Sequence, residues 1–84
     1  MRHYASPEFW DRYVELPDFI RELADKNYEL LKADPKHPSL HLKRVSKYWS
    51  VRVGKKYRAL GVDVEEGIVW FWIGTHAEYD KLVE

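Results

Sequence analysis

The chain has 84 residues, no cysteine and a formal net charge of zero, with thirteen aromatic residues of which four are Trp. That length supports one core over residues 1–84 that buries roughly 60% of the unfolded surface, and it excludes a second; the missing cysteines exclude a disulfide framework and a thiolate metal site. No apolar run reaches the ~20 residues of a bilayer span, and MRHYASPEFW lacks the layout of a signal peptide, so a cytoplasmic location with no membrane partner is expected.

In chain order, Ser6-Pro7 reads as an N-cap followed by proline at the first helical position. Phe9, Trp10 and Tyr13 follow at helical spacing and predict a short helix over about 7–15. Pro17 opens a second helix in which Phe19, Ile20, Leu23, Ala24, Asn27, Leu30 and Leu31 mark the buried face. Pro35 and Pro38 end it near Ala33, because proline restricts the residue before it and cannot continue the hydrogen-bond ladder.

From Leu40 the period changes to two. A short strand is expected within 40–46, and over 47–53 Trp49, Val51 and Val53 alternate with Tyr48, Ser50 and Arg52. With the first set in the core, the second faces solvent or a partner. Gly54-Lys55-Lys56 makes a hairpin loop into a strand over 57–62. Glu65-Glu66-Gly67 makes another into Ile68–Ile73, which is apolar on both faces and reads as a central strand. Thr75 and Glu78 have the spacing of a capping box that opens a last helix through Val83. The expected fold is α+β: an N-terminal helical hairpin on a small, antiparallel-dominated twisted sheet, closed by a short C-terminal helix.

Zero net charge conceals a block pattern. Residues 1–34 hold five Lys/Arg and eight Asp/Glu, residues 35–62 hold eight and none, and residues 63–84 hold one and six. A 28-residue window without an acid marks a surface for a polyanion. Within it Arg52 and Arg58 are the candidates for defined phosphate contacts, because the planar guanidinium fork matches phosphate oxygens. Lys43, Lys47, Lys55 and Lys56 supply electrostatic footing. The competing reading is a solvated edge hairpin whose lysines block strand-to-strand association. An imidazole such as that of His76 is chemically able to exchange protons at working pH, and Tyr79 lies three residues on along the same helix, so both are candidates for proton transfer; packing alone also explains Tyr79. His37 and His41, between prolines, read as surface residues. No His/Asp/Glu spacing suggests a metal site and no glycine-rich phosphate loop is present, so no metal and no cofactor are expected.

These segments resemble a known group. Leu16-Pro17, Trp49-Ser50-Val51-Arg52-Val53-Gly54, Tyr57-Arg58-Ala59-Leu60 and Ile73-Gly74-Thr75-His76-Ala77-Glu78-Tyr79-Asp80 are similar to the RelE/ParE superfamily of toxins from type II toxin-antitoxin pairs. The resemblance implies a toxin restrained by a cognate antitoxin. For RelE-like members it implies metal-free cleavage of mRNA in the ribosomal A site, by attack of the 2′-hydroxyl on the adjacent phosphate. On that reading Arg58 stabilises the phosphate in the transition state, Arg52 holds the backbone, and His76 or Tyr79 moves the proton. The ParE branch has the same fold and inhibits DNA gyrase without cutting RNA. A member that only binds its antitoxin or RNA is the third alternative. Overall neutrality separates this chain from the strongly basic ribosome-dependent nucleases.

Overall fold

In the computed structural model, which describes residues 2–84, the chain forms five strands and three helices. They run β1 (Arg2–Ala5), α1 (Pro7–Tyr13), α2 (Asp18–Ala33), β2 (Lys43–Val45), β3 (Tyr48–Val53), β4 (Tyr57–Val64), β5 (Gly67–Thr75) and α3 (His76–Val83), with a 3₁₀ turn at Pro38–Leu40. One sheet holds all the strands in the order β1-β5-β4-β3-β2. Neighbours are antiparallel except β1, which runs parallel to β5. The α+β architecture is as expected. β1 is an addition, since Arg2–Ala5 has no apolar alternation and its partner lies more than 60 residues along the chain.

The local signals form the elements they predict. The Ser6 hydroxyl accepts the amide of Phe9, with Pro7 behind it, and α1 ends at Tyr13, two residues earlier than spacing suggested. Thr75 and Glu78 complete a reciprocal capping box on α3. Gly54 turns the β3–β4 hairpin at φ +66°, a left-handed conformation that side chains disfavour. Gly67 is required for a different reason: a Cβ there would lie 1.9 Å from the carbonyl oxygen of Arg2, so β1 could not pair with β5.

Both faces of the sheet are covered. On one, α1 and α2 enclose a core of Leu16, Ile20, Leu31, Leu40, Val51, Val53, Ala59, Ile68, Trp70 and Ile73. On the other, α3 lays Tyr79 against Leu60 and Trp72, with Val45, Tyr48, Phe71 and Val83 around them. A register shift makes this possible. Leu60 pairs with Trp72 but Gly61 pairs with Trp70, so Phe71 is an extra residue in β5. The bulge reverses side-chain parity, letting Ile68, Trp70 and Ile73 all reach the helix side while Phe71 and Trp72 both reach the α3 side.

Two expectations about faces need correction. Ser50, expected to face solvent or a partner, is 1% exposed, whereas Tyr48 and Arg52 on the same face are half-buried, so the face is closed at Ser50 and stays partly open at the Arg52 end. Phe19, assigned to the buried face of α2, is 68% exposed: it lies in the first turn, and Ile20 takes the core contact instead. Trp49 is half-buried; its indole nitrogen donates to Asp63.

Candidate nucleic-acid interface

Cross-strand register builds this site. In the β3–β4 pair Arg52 stands opposite Arg58, and residues opposite each other in a ladder point to the same side. Arg58 in turn faces Gly74 of β5, and Tyr57 faces Thr75, so His76 begins immediately beyond the strand end that carries Arg58. The amide of His76 donates to the Lys56 carbonyl at 2.7 Å, which ties the start of α3 to the basic hairpin turn. Sequence placed Arg52, Arg58, Lys55 and Lys56 around one turn. The structure brings them together there and adds His76 and Tyr79 from α3.

The environment of the arginine pair is unusual for structural cations. Both are only half-buried, yet Nε of Arg52 is enclosed and has no hydrogen-bond partner, the one such buried side-chain nitrogen or oxygen among the described residues. Buried donors are nearly always satisfied, so this nitrogen is an exception within the site. Arg58 spends one donor on the neighbouring Tyr57 carbonyl at 2.9 Å. Its pKa is lowered first by burial and then by the charge of Arg52, while Tyr79 and Asp80 act in the opposite sense. Two like charges therefore face each other, and among the described residues no carboxylate bonds to either.

That contrast extends along the chain. Among the described residues, the arginines and lysines in ion pairs are Arg2, Arg12, Arg21, Lys32 and Arg44. Only Arg44 comes from the acid-free window. It lies on the opposite face of the sheet, opposite Trp49, where Asp63 binds it and its guanidinium stacks 4.5 Å from the Trp49 ring. Lys43 pairs with Ser50 and so shares the Arg52 side of the sheet, while Lys55 and Lys56 are exposed in the turn. Lys47 is also exposed but sits at the other end of β3, its ammonium 5.7 Å from the Tyr48 ring. At a rise of about 3.3 Å per residue, the basic strip runs roughly 20 Å along β3, so it is a track and not one pocket.

His76 and Tyr79 differ in what they offer. The imidazole is exposed, and its Nδ1 lies 3.0 Å from a carboxylate oxygen of Asp80. With Nδ1–H donated to that carboxylate, Nε2 is left to accept or deliver a proton. Tyr79 is 6% exposed within the Leu60–Trp72 cluster, its ring centre 5.7 Å from that of His76. Its geometry suits positioning.

Three contributors were missed in the sequence. Asp80 was legible from its i, i+4 spacing to His76. Asn27 was read as part of the α2 core face, and its amide donates to the Arg52 carbonyl at 3.1 Å. Arg12 had no signal. Because β1 ends opposite Trp70, the β5 edge beyond it is free, and Arg12 caps the Ile73 carbonyl at 2.8 Å while holding Glu78 of α3 at 3.1 Å.

Residues 19–81 match the family model of the ParE-like toxin domain. The chain belongs to the ParE-like toxin family. No curated protein matches it in sequence. The fold is similar to that in the crystal structure of a RelB-RelE antitoxin-toxin complex from Methanococcus jannaschii, with a TM-score of 0.74 at 15% identity over 96% of this chain and 99% of that one. It is also similar to a copper-bound mutant toxin from Helicobacter pylori, with a TM-score of 0.60 at 13% identity over 93% and 97% of the two chains. Family membership and fold thus agree with the resemblance carried by the strand and helix motifs.

Proposed function

We propose that this domain is the toxin of a toxin-antitoxin pair and cleaves mRNA in the cytoplasm without a metal ion, on free messages or at the ribosome. The observation that carries this reading is the Arg52–Arg58 pair, two half-buried guanidinium groups in register across β3 and β4. In this mechanism the ribose 2′-oxygen attacks the adjacent phosphorus and the 5′-oxygen leaves, which yields a 2′,3′-cyclic phosphate and a 5′-hydroxyl end. Arg58 and Arg52 meet the charge that builds on the phosphoryl oxygens. His76, oriented by Asp80, takes the 2′-hydroxyl proton as that oxygen attacks, water protonates the departing 5′-oxygen, and Tyr79 packs against the imidazole to hold it. Lys43, Lys47, Lys55 and Lys56 draw the RNA backbone along the sheet. A cognate antitoxin silences the domain by covering the same cations with its own acidic residues.

A second reading rests on the ParE-like family model and on overall neutrality: a toxin that stops DNA gyrase and leaves RNA intact. A translation extract separates the two. Messages cut by the wild-type chain and spared by Arg58→Ala support the nuclease; intact messages with arrested gyrase supercoiling reject it. If both assays are unaffected, the domain only binds.

A further inference from the structure

On the helix side of the sheet, away from the arginine pair, lies a cavity of about 200 Å³ between α1, α2 and the strands. Tyr4, Phe9, Trp10, Tyr13, Tyr28 and Trp70 wall it. Three of these, Tyr4, Trp10 and Tyr28, are 39%, 50% and 40% exposed, which places them at its mouth. Large rings left half in water around a concave apolar space signal an unfilled binding site and not a packing remnant.

The charges around it are selective. Among the described residues no lysine or arginine lines the cavity and Asp25 is the only charged lining residue; the cation of Lys32 stands 4.6 Å from the centre of the Tyr28 ring and is paired with Glu29. One Asp25 oxygen accepts the Tyr13 hydroxyl at 2.7 Å. Its other oxygen makes no hydrogen bond among the described residues, so an acceptor is left at the rim. His3 adds no positive charge. Its pKa is lowered, by burial first and then by nearby positive charge including Lys32. The Trp70 indole, a donor only, donates its N–H to Nδ1 of His3 at 3.1 Å, which fixes the neutral tautomer with the proton on Nε2. The His3 ring stacks with that of Trp70 at 6.1 Å between centres.

We infer that this cavity binds a small organic cation, an aromatic ring carrying a short alkylammonium arm. The ring fills the apolar space: a cavity of about 150 Å³ holds one benzene ring, so the volume here takes a ring and its arm. The ammonium lies against the rings of Tyr4 and Trp10 at the mouth, since Tyr28 already carries Lys32, and it pairs with Asp25, where desolvation strengthens the cation–π attraction. Anions are rejected by the same carboxylate. Val51, Val53 and Ala59 form part of the lining and Asn27 joins it to the Arg52 carbonyl, so a bound ring touches the backs of the strands that carry Arg52 and Arg58.

Titration of the full chain with 2-phenylethylammonium, and separately with uncharged 2-phenylethanol, tests this by NMR of the indole and backbone amides. Saturable shifts centred on Trp10 and Trp70 are expected, with the ammonium bound about tenfold more tightly than the alcohol. Asp25→Asn keeps an acceptor for Tyr13 and should remove that preference; Trp10→Leu, at an exposed position, should weaken both probes. Thermal melts of both variants check that each folds. Absence of saturable shifts, equal affinity for the two probes, or an Asp25→Asn variant that keeps the preference each overturns the inference. So does protection of these indoles by a polypeptide partner alone, which would make the cavity a protein interface.

Discussion

Arg52 and Arg58 face each other across the β3–β4 pair, two cations in register to which no carboxylate bonds among the described residues. Like charges directly opposite in a hairpin destabilise it by roughly 0.2–1 kcal/mol relative to neutral pairs. Replacing Arg58 with Met keeps the length of the side chain and removes the repulsion. The variant should melt a few degrees higher, since about 1 kcal/mol corresponds to 4–8 °C in a domain of this size. Its RNA cleavage should fall on the order of 10²–10³-fold, the usual loss when one transition-state donor is removed. Calorimetry and a cleavage assay on the same preparation measure both. A variant that is less stable as well as inactive would make Arg58 a structural residue.

Lys43, Lys47, Lys55 and Lys56 lie along about 20 Å of the sheet and bond to no acid among the described residues. Each phosphate contact on a single strand contributes about 0.7 to the slope of log affinity against log salt. Neutralising any one lysine should therefore lower that slope by about 0.7 and weaken binding to all RNA sequences alike. Fluorescence anisotropy across a salt series reads the slope. Unchanged slopes for Lys55→Gln and Lys56→Gln would remove the hairpin turn from the interface.

His76 and Tyr79 should respond differently to small changes. His76→Asn should cost about 10²–10⁴-fold in cleavage with little change in melting temperature, as expected for a proton-transfer group. Tyr79→Phe keeps the ring that packs on Leu60 and Trp72 and should stay within a few-fold of wild type. Tyr79→Ala should instead destabilise the domain by about 3–5 kcal/mol through the cavity it leaves. Single-turnover rates and urea melts separate the cases. A Tyr79→Phe variant as inactive as His76→Asn would move proton transfer to the phenol.

Much of this arrangement is legible in the sequence, and the unreadable parts have physical reasons. Period, caps and turns report local geometry, so α2, the hairpin at Gly54 and the Thr75–Glu78 box are visible in the residues themselves. Strand alternation says which residues share a face, and it put Arg52 and Arg58 at one turn. It does not say what covers that face. Ser50 was expected outside because nothing local reveals that α3 folds back over Leu60 and Trp72. β1 and Arg12 act on strand and helix partners about 60 residues away. The β5 bulge depends on register with β4, and a single-strand pattern carries no register.

His3 makes stability depend on pH. Its folded pKa lies below the ordinary value of 6.5, chiefly because burial disfavours the imidazolium. The unfolded chain therefore binds more protons as pH falls, and stability rises with pH in this range. The contribution is complete above pH 6.5 and is lost as pH drops through that value toward the folded pKa. Protonation would also break the bond from the Trp70 indole to Nδ1. Urea melts at pH 7.5 and 5.5 should show a loss in the wild type that is smaller in His3→Gln. Equal losses in both would place the titrating group elsewhere.

The chemistry of the RNA ends decides the central claim. Purified chain is incubated with a defined message, alone in EDTA and separately with ribosomes in the magnesium buffer they require, and the fragments are analysed by mass spectrometry. The arginine-pair mechanism predicts 2′,3′-cyclic phosphate and 5′-hydroxyl ends that disappear in Arg58→Ala. Intact RNA under both conditions, or cleavage that Arg58→Ala leaves unchanged, would contradict it.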